Sequence, residues 1–345
     1  MKIGYKIRQM RNSAGMTQEQ LATSLGVSAQ SVSKWENEIS MPDISLLPDI
    51  AETFGISIDE LFDLTTEQKF RRIENRIEID EELPPQTFSE YEEFLKSQVS
   101  VTENKATALS LLAHLYYHRM EADSLRVSKY GREAILLDPA KKDCQWLLDK
   151  AEGHASWDWN ITNHSGAIDF YKEVVAADKI EPKSSLPYYY LIDNLLADNR
   201  ADEAEDTLKI FATLPSANPV MIDVYKAYIA LARYDVNTAD EIIEECIKNH
   251  PKDCGYLFEA AQYYARKCNY KKALELYNRS WAQEKPPRFW DTLQGIATIY
   301  KILGYKEHTS ETYDKILECL MTDWGYSKDD KPYIEVLRMK SEALK

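Results

Sequence analysis

The sequence predicts an all-α protein in which a small helical domain precedes a longer run of helix pairs. Two observations lead to this fold class. The first 65 residues contain five short helical segments separated by capping residues, glycines and a proline. Farther along, Ala167, Ala204, Ala239 and Ala273 recur at intervals of 37, 35 and 34 residues, which indicates a helical repeat. A chain of 345 residues is long enough to form both parts.

Capping and stop residues define the segments of the first domain, residues 1–65. Gly15 ends the first segment, and Thr17 opens the second through a capping box with Gln20. Ser28 caps the third segment, and Pro42 breaks the chain before the fourth. The turn between the second and third segments is only about three residues long, as in domains that place one helix in the major groove of DNA.

The string MTQEQLATSLGVSAQSVSKWENEISMPDISLLPDIAETFGISIDELF resembles the Cro/repressor-type helix-turn-helix, the xenobiotic-response-element family. The resemblance implies a five-helix, lambda-repressor-like domain that binds a double-stranded DNA operator, within a sequence-specific transcriptional regulator. It also implies a buried ion pair between Arg11 and Glu36. The positions that it assigns to DNA binding are Gln18, Ser28, Ala29, Gln30, Ser33, Lys34 and Asn37.

The chemistry of three of these side chains suits base contacts. Gln30 can pair with adenine through two hydrogen bonds, Lys34 can reach O6 and N7 of guanine, and the Ala29 methyl suits the methyl of thymine. One position departs from the family pattern, because Glu38 stands where many relatives have glycine. Its carboxylate follows Asn37, a position that the resemblance assigns to a phosphate contact.

The charge distribution confines any DNA contact to the first domain. Residues 1–63 carry five basic and nine acidic side chains, and the rest of the chain carries 37 basic and 48 acidic ones. With a net charge of −15, most of the molecule should repel DNA. Because one domain can neutralise few phosphates, we predict a homodimer, formed chiefly by the repeat domain, and an operator with approximate dyad symmetry.

The rest of the chain divides into a linker and a repeat domain. Residues 66–100 are charged and predict a helical linker. Residues 101–345 resemble the tetratricopeptide repeat, since a large apolar residue follows each repeated alanine by four positions. The resemblance implies a solenoid of about six helix pairs, closed by a helix from Pro332 to Leu344. The segment HASWDWNITNH (154–164) is interpreted as an inserted loop that plugs the solenoid.

The concave face of such a solenoid is a candidate effector site. Counting back from the repeated alanines places five residues there, namely Tyr189, Asp193, Tyr228, Gln262 and Arg266. This set suits the backbone of an extended peptide, although the same residues could instead solvate the face or bond to neighbouring helices. The domain order resembles that of the peptide-pheromone-responsive regulators of Gram-positive bacteria, which implies a peptide or protein effector. A DNA-tethered scaffold that recruits a protein partner is the alternative.

Several function classes find no support in the sequence. There is no long apolar run and no signal peptide, so we expect a cytoplasmic protein without a membrane partner. The five cysteines lack paired spacing and predict free, mostly buried thiols. His114 and His118 stand four residues apart but lack the glutamate of a metalloprotease motif. We therefore expect no metal, no cofactor and no catalytic activity.

Overall fold

The computed structural model describes residues 3–62, 65–140, 142–153, 159–178 and 183–345. Within these ranges the chain forms helices and no strand, which confirms the predicted all-α class. The contacts divide it into two compact units, one ending at Asp123 and the other beginning at Ser124. The predicted boundaries after residues 65 and 100 stay a prediction.

The first unit begins with five short helices, which we call the head (residues 3–62), and continues with longer ones. Its helices are α1 (Ile3–Ser13), α2 (Gln18–Ser24), α3 (Ala29–Glu36), a 3-10 turn (Ile44–Leu46), α4 (Leu47–Phe54), α5 (Ile58–Leu61), α6 (Thr66–Ile79), α7 (Pro85–Val99) and α8 (Lys105–Leu137), of which α8 extends into the second unit.

Local signals in the sequence explain how the head folds. The capping box at the start of α2 is present: the Gln20 backbone N–H donates to Thr17 Oγ1 at 3.1 Å, and the Thr17 N–H donates to Gln20 Oε1 at 2.7 Å. Gly15 has φ +66°, a conformation that favours glycine and ends α1. The apolar faces of the helices then meet in one core, whose fully buried members are Ile7, Leu21, Val32, Ile50 and Leu61.

The predicted linker, residues 66–100, contributes apolar side chains to a hydrophobic core although it is highly charged. Phe70 and Ile73 on α6 are buried in a second core with Leu95 of α7 and Leu115 of α8. Most charged residues of α6 are exposed, as expected of an amphipathic helix.

The second unit is a succession of helices. After the end of α8 these are α9 (Lys142–Glu152), α10 (Trp159–Thr162), α11 (Ser165–Ala177), α12 (Leu186–Ala197), α13 (Ala201–Phe211), α14 (Pro219–Ala232), α15 (Val236–Asn249), α16 (Cys254–Arg266), α17 (Tyr270–Gln283), α18 (Asp291–Ile302), α19 (Lys306–Thr322) and α20 (Lys331–Leu344).

Regular helix pairs run from α12 to α19. Ala204, Ala239 and Ala273 are fully buried, which lets the helices of each pair approach closely. The first helices of the pairs also contact one another directly, α12 with α14, α14 with α16 and α16 with α18. Helices on the inside of a curved stack lie closer together than those outside, so these four helices form the inner layer of the tetratricopeptide-like repeat.

Two features differ from the sequence-based expectation. Among the described residues we find four regular pairs, from α12 to α19, rather than about six, and α8 is a single helix of 33 residues. Residues 154–158 of the predicted plugging loop lie outside the described residues. The next four form α10, and Trp159 is 77% exposed, so this side chain does not plug the repeat. The His164 backbone N–H instead donates to the Asp198 carboxylate at 3.0 Å, which fastens the segment beside the end of α12.

Candidate DNA interface and inner groove

Helix α3 presents a polar face to solvent. Gln30, Lys34 and Asn37 are exposed and Ser33 is half-buried, and their spacing puts all four on one side of the helix. Val32 and Trp35, on the opposite side, are buried in the core of the head. Ser28 caps the helix, since its Oγ accepts a hydrogen bond from the Ser31 backbone N–H at 3.1 Å. The polar face is therefore held outward on a well-anchored helix.

An ion pair fixes the end of this helix. Arg11 of α1 donates from Nε to Glu36 Oε1 at 2.5 Å and from its terminal nitrogen to Glu36 Oε2 at 3.0 Å. Gln18 of α2 donates from Nε2 to the same Oε2 at 2.8 Å. Arg11 also donates to the Met16 carbonyl at 2.7 Å. One carboxylate thus ties α1, α2 and α3 together, and the Glu36 side chain is only 1% exposed.

Opposing effects act on the protonation of this pair. Burial raises the pKa of Glu36, but the hydrogen bonds from Arg11 and Gln18 outweigh burial and leave the pKa below its ordinary value. The hydrogen bond to Glu36 raises the pKa of Arg11 in turn. Both side chains are therefore charged at neutral pH.

The segment after α3 is constrained. Asn37 donates from Nδ2 to the Ser33 carbonyl at 2.8 Å and to Ser33 Oγ at 3.4 Å, so its amide is held against the last turn of α3. Glu38 has φ +57°, in the left-handed region where glycine is favoured. The glycine that many relatives have at this position therefore has a steric reason, and the glutamate adds a negative charge beside Asn37.

The other predicted DNA-binding residues lie nearby but differ in exposure. Ala29 is half-buried and packs against the core of the head, so only part of its methyl group faces outward. Gln18 lies beside the ion pair, and its phosphate contact stays a prediction. A further residue, Gly4 of α1, could not be recognised from spacing. A Cβ at Gly4 would lie 1.8 Å from the Trp35 carbonyl oxygen, so glycine is required for α1 to touch α3.

In the second unit, all five predicted groove residues lie on inner-layer helices, α12, α14 and α16. Asp193 of α12 accepts a hydrogen bond from the Tyr225 hydroxyl of α14 at 2.8 Å. The Arg266 guanidinium of α16 lies 5.3 Å from the centre of the Tyr228 ring of α14. Gln262 is half-buried one turn before Arg266. The charge of Arg266 also acts on Asp193, so the residues form one cluster across three helices.

The fifth predicted groove residue, Tyr189 of α12, borders this cluster, because its ring centre lies 6.4 Å from that of Tyr225. Its ring lies edge-on to Phe211 of α13 with the ring centres 4.9 Å apart, and its hydroxyl accepts a hydrogen bond from the Asn218 backbone N–H at 3.3 Å. Tyr189 therefore contacts both its partner helix α13 and the start of the next pair, and its role as a groove residue stays a prediction.

Glu259, which was not predicted from the sequence, also belongs to the inner cluster. It precedes Gln262 and Arg266 on α16 by three and seven residues, a spacing that would have identified it. Burial raises the pKa of Glu259 to about 7, with a further contribution from the charge of Asp193. Burial also raises the pKa of Asp193, which stays open to solvent on one side while protein surrounds it on the others.

Comparison with known proteins identifies the head. Residues 7–61 match the protein family model described as Helix-turn-helix. The head is a helix-turn-helix domain of the Cro/repressor type. The HTH-type transcriptional activator BcrR of Enterococcus faecalis is 41% identical over 61 residues, which make up 18% of this chain and 30% of the activator. The match therefore covers less than a third of that curated relative.

Solved structures that align along most of the chain have low sequence identity. The apo form of the competence regulator ComR from Streptococcus vestibularis is 14% identical, with 99% of this chain and 98% of that chain covered and a TM-score of 0.24. PlcR from Bacillus thuringiensis, in complex with the peptide PapR7 and DNA, is 13% identical, with 86% and 97% covered and a TM-score of 0.24. Both scores are low, so the interface and the groove are inferred from the residues of this chain.

The remaining candidate sites have structural contacts of their own. His118 is buried and its Nε2 lies 2.7 Å from the Asp80 carbonyl oxygen, whereas His114 is exposed. Among the described residues, no group of three potential ligands could hold a metal ion. The cysteines are unpaired, and Cys268 is exposed. No helix in the described ranges is both long and apolar enough to span a membrane.

Proposed function

We propose that this chain is a sequence-specific, DNA-binding transcriptional regulator. The observation that carries the proposal is the polar face of α3, where Gln30, Ser33, Lys34 and Asn37 point outward while Arg11, Gln18 and Glu36 fix the helix from behind. Side chains of this chemistry on a helix that fits the major groove can distinguish base pairs. The proposal includes the cytoplasm as its location and no catalytic activity or cofactor.

We further propose that the chain acts as a homodimer whose repeat domain binds a peptide or protein effector in the inner groove. Residues 1–63 carry only five basic side chains and can neutralise few phosphates, so two heads would double the number of phosphate contacts. The cluster of Asp193, Tyr228, Gln262 and Arg266 offers charged, aromatic and hydrogen-bonding groups on adjacent helices, a mixture that suits an extended peptide. A scaffold that recruits a protein partner would use the same surface.

A genome-wide map of DNA occupancy tests the proposed function. The expected result is a small number of sharp peaks that share one motif with approximate dyad symmetry, and altered transcription of the adjacent genes when the chain is deleted. The double variant Gln30→Ala, Lys34→Ala should lose these peaks, whereas Glu245→Ala on α15 should keep them. Occupancy without a common motif, or occupancy unchanged in the double variant, would contradict the proposal.

Effector dependence distinguishes a sensor from a scaffold. In a sensor, Asp193→Asn together with Arg266→Gln should abolish the response of target genes while the occupancy motif stays the same. In a scaffold, the same double variant should lose a bound protein partner. If a folded double variant regulates its target genes as the wild type does, the groove binds neither an effector nor a recruited protein partner.

A further inference from the structure

Polar side chains on the inner face of α16 lack hydrogen-bonding partners within the described part of the chain. Glu259, Gln262 and Arg266 share this face, and none of them forms a hydrogen bond with another described residue. Arg266 instead holds its guanidinium over the Tyr228 ring. Glu259 is half-buried, so its carboxylate has lost part of its hydration without gaining a donor in exchange.

When both of its carboxyl groups are ionised, this cluster carries one more negative charge than positive charge. Asp193 and Glu259 contribute two carboxylates, and among the described residues that act on both, Arg266 contributes the one guanidinium. The two carboxylates oppose each other's ionisation, while Arg266 favours it. An added anion would place a third negative group beside a single cation. An added cation would complete the balance and supply the donors that Glu259 lacks.

We propose that this cluster binds a positively charged group of the effector, a primary ammonium or a guanidinium, between Asp193 and Glu259. This inference rests on the proposed role of the inner groove as the effector site and specifies the chemistry of its ligand. The aromatic ring of Tyr228 borders the same position and favours a cation nearby. The Gln262 amide, one turn along α16, can bond to the peptide backbone that carries the charge.

Retention of peptides from defined pools tests this proposal on the full-length protein. The probes are random heptapeptides, one pool with free amino termini and one with acetylated termini, and retained peptides are identified by mass spectrometry. From the acetylated pool, peptides with Lys or Arg should be retained about tenfold more often than peptides with Asp or Glu at the same positions. From the pool with free amino termini, peptides without Lys or Arg should also be retained, because the terminal ammonium can occupy the site.

Matched variants connect the preference to the cluster. Glu259→Gln should lower the preference for cationic peptides about tenfold, and Asp193→Asn should lower it in the same way. Arg266→Gln, which removes the competing positive charge, should raise it. Glu245→Gln, the same change on the exposed outer helix α15, should leave it unchanged.

The result that would overturn the proposal is equal retention of acidic and basic peptides, an unchanged preference in both carboxylate variants, or retention of no peptide from either pool. Circular dichroism establishes whether each variant is folded. If one of the two carboxylate variants does not fold, the other carries the test alone. Operator binding by the same preparations separates the two claims. Normal DNA binding without a charge preference would contradict only this inference, whereas a loss of DNA binding in the wild type would contradict the proposed function.

Discussion

Glu36 joins three helices of the head through one carboxylate, so its ionisation should control the stability of the head. Because its pKa is lower in the folded state, the stabilisation is present above the unfolded pKa of about 4.3 and is lost as pH falls through the folded pKa. Glu36→Ala leaves Arg11 without its carboxylate partner and should cost about 3 kcal/mol of local stability.

Hydrogen exchange of the α3 amides in the full-length protein measures this effect. The wild type should lose protection as the pH is lowered from 6 to 3.5, after correction for the intrinsic exchange rate, and Glu36→Ala should show low protection throughout. Equal protection of the two proteins at pH 6 would show that the ion pair does not stabilise α3.

Glu38 combines an unfavourable backbone conformation with an unfavourable charge. Replacing it by glycine should relieve the left-handed strain and stabilise the end of α3 by about 1 kcal/mol. The change also removes a negative charge beside Asn37 and should tighten operator binding at low salt. Glu38→Ala serves as the control, because it removes the charge and keeps the strained residue. Weaker binding by Glu38→Gly than by the wild type would contradict this prediction.

At the scale of helices, the contact between α1 and α3 requires a glycine, Gly4, at the point of closest approach. Gly4→Ala places a methyl group against the Trp35 carbonyl oxygen, and because both atoms belong to the backbone or adjoin it, a helix has to move. The expected cost is about 1–3 kcal/mol, reduced by the higher helix propensity of alanine. Gly166→Ala on α11, where a methyl group meets nothing within 4 Å, should be neutral or stabilising. Thermal unfolding and operator affinity of both variants test the difference.

The elements that the sequence predicted well are those defined by local signals. The capping box of Thr17 and Gln20 and the stop at Gly15 specify α1 and α2 without any knowledge of tertiary contacts. The predictions that failed depend on packing between helices. The number of regular pairs is such a case, because α8 is a single helix of 33 residues. Glu259 was not predicted, although it shares a face of α16 with Gln262 and Arg266.

At the scale of the whole molecule, the scarcity of positive charge predicts cooperation between two copies. Of the five basic side chains in residues 1–63, Arg11 already pairs with Glu36, which leaves four for phosphates. A homodimer can contact two half-sites about 34 Å apart, one helical turn of DNA. Sedimentation should show a dimer at micromolar concentration, and an isolated head should lose operator affinity steeply as salt rises. A strict monomer, both free and on DNA, would contradict the prediction.

The most direct test of the account is to measure how Gln30 and Lys34 contribute to base recognition. Alanine variants of each residue would be titrated against the operator and against operators with single base-pair changes. Each variant should lose about 1–3 kcal/mol of binding free energy and should no longer distinguish base pairs at one position of each half-site. If both variants bind the native operator as tightly and as selectively as the wild type, α3 does not contact the bases, and the central claim is wrong.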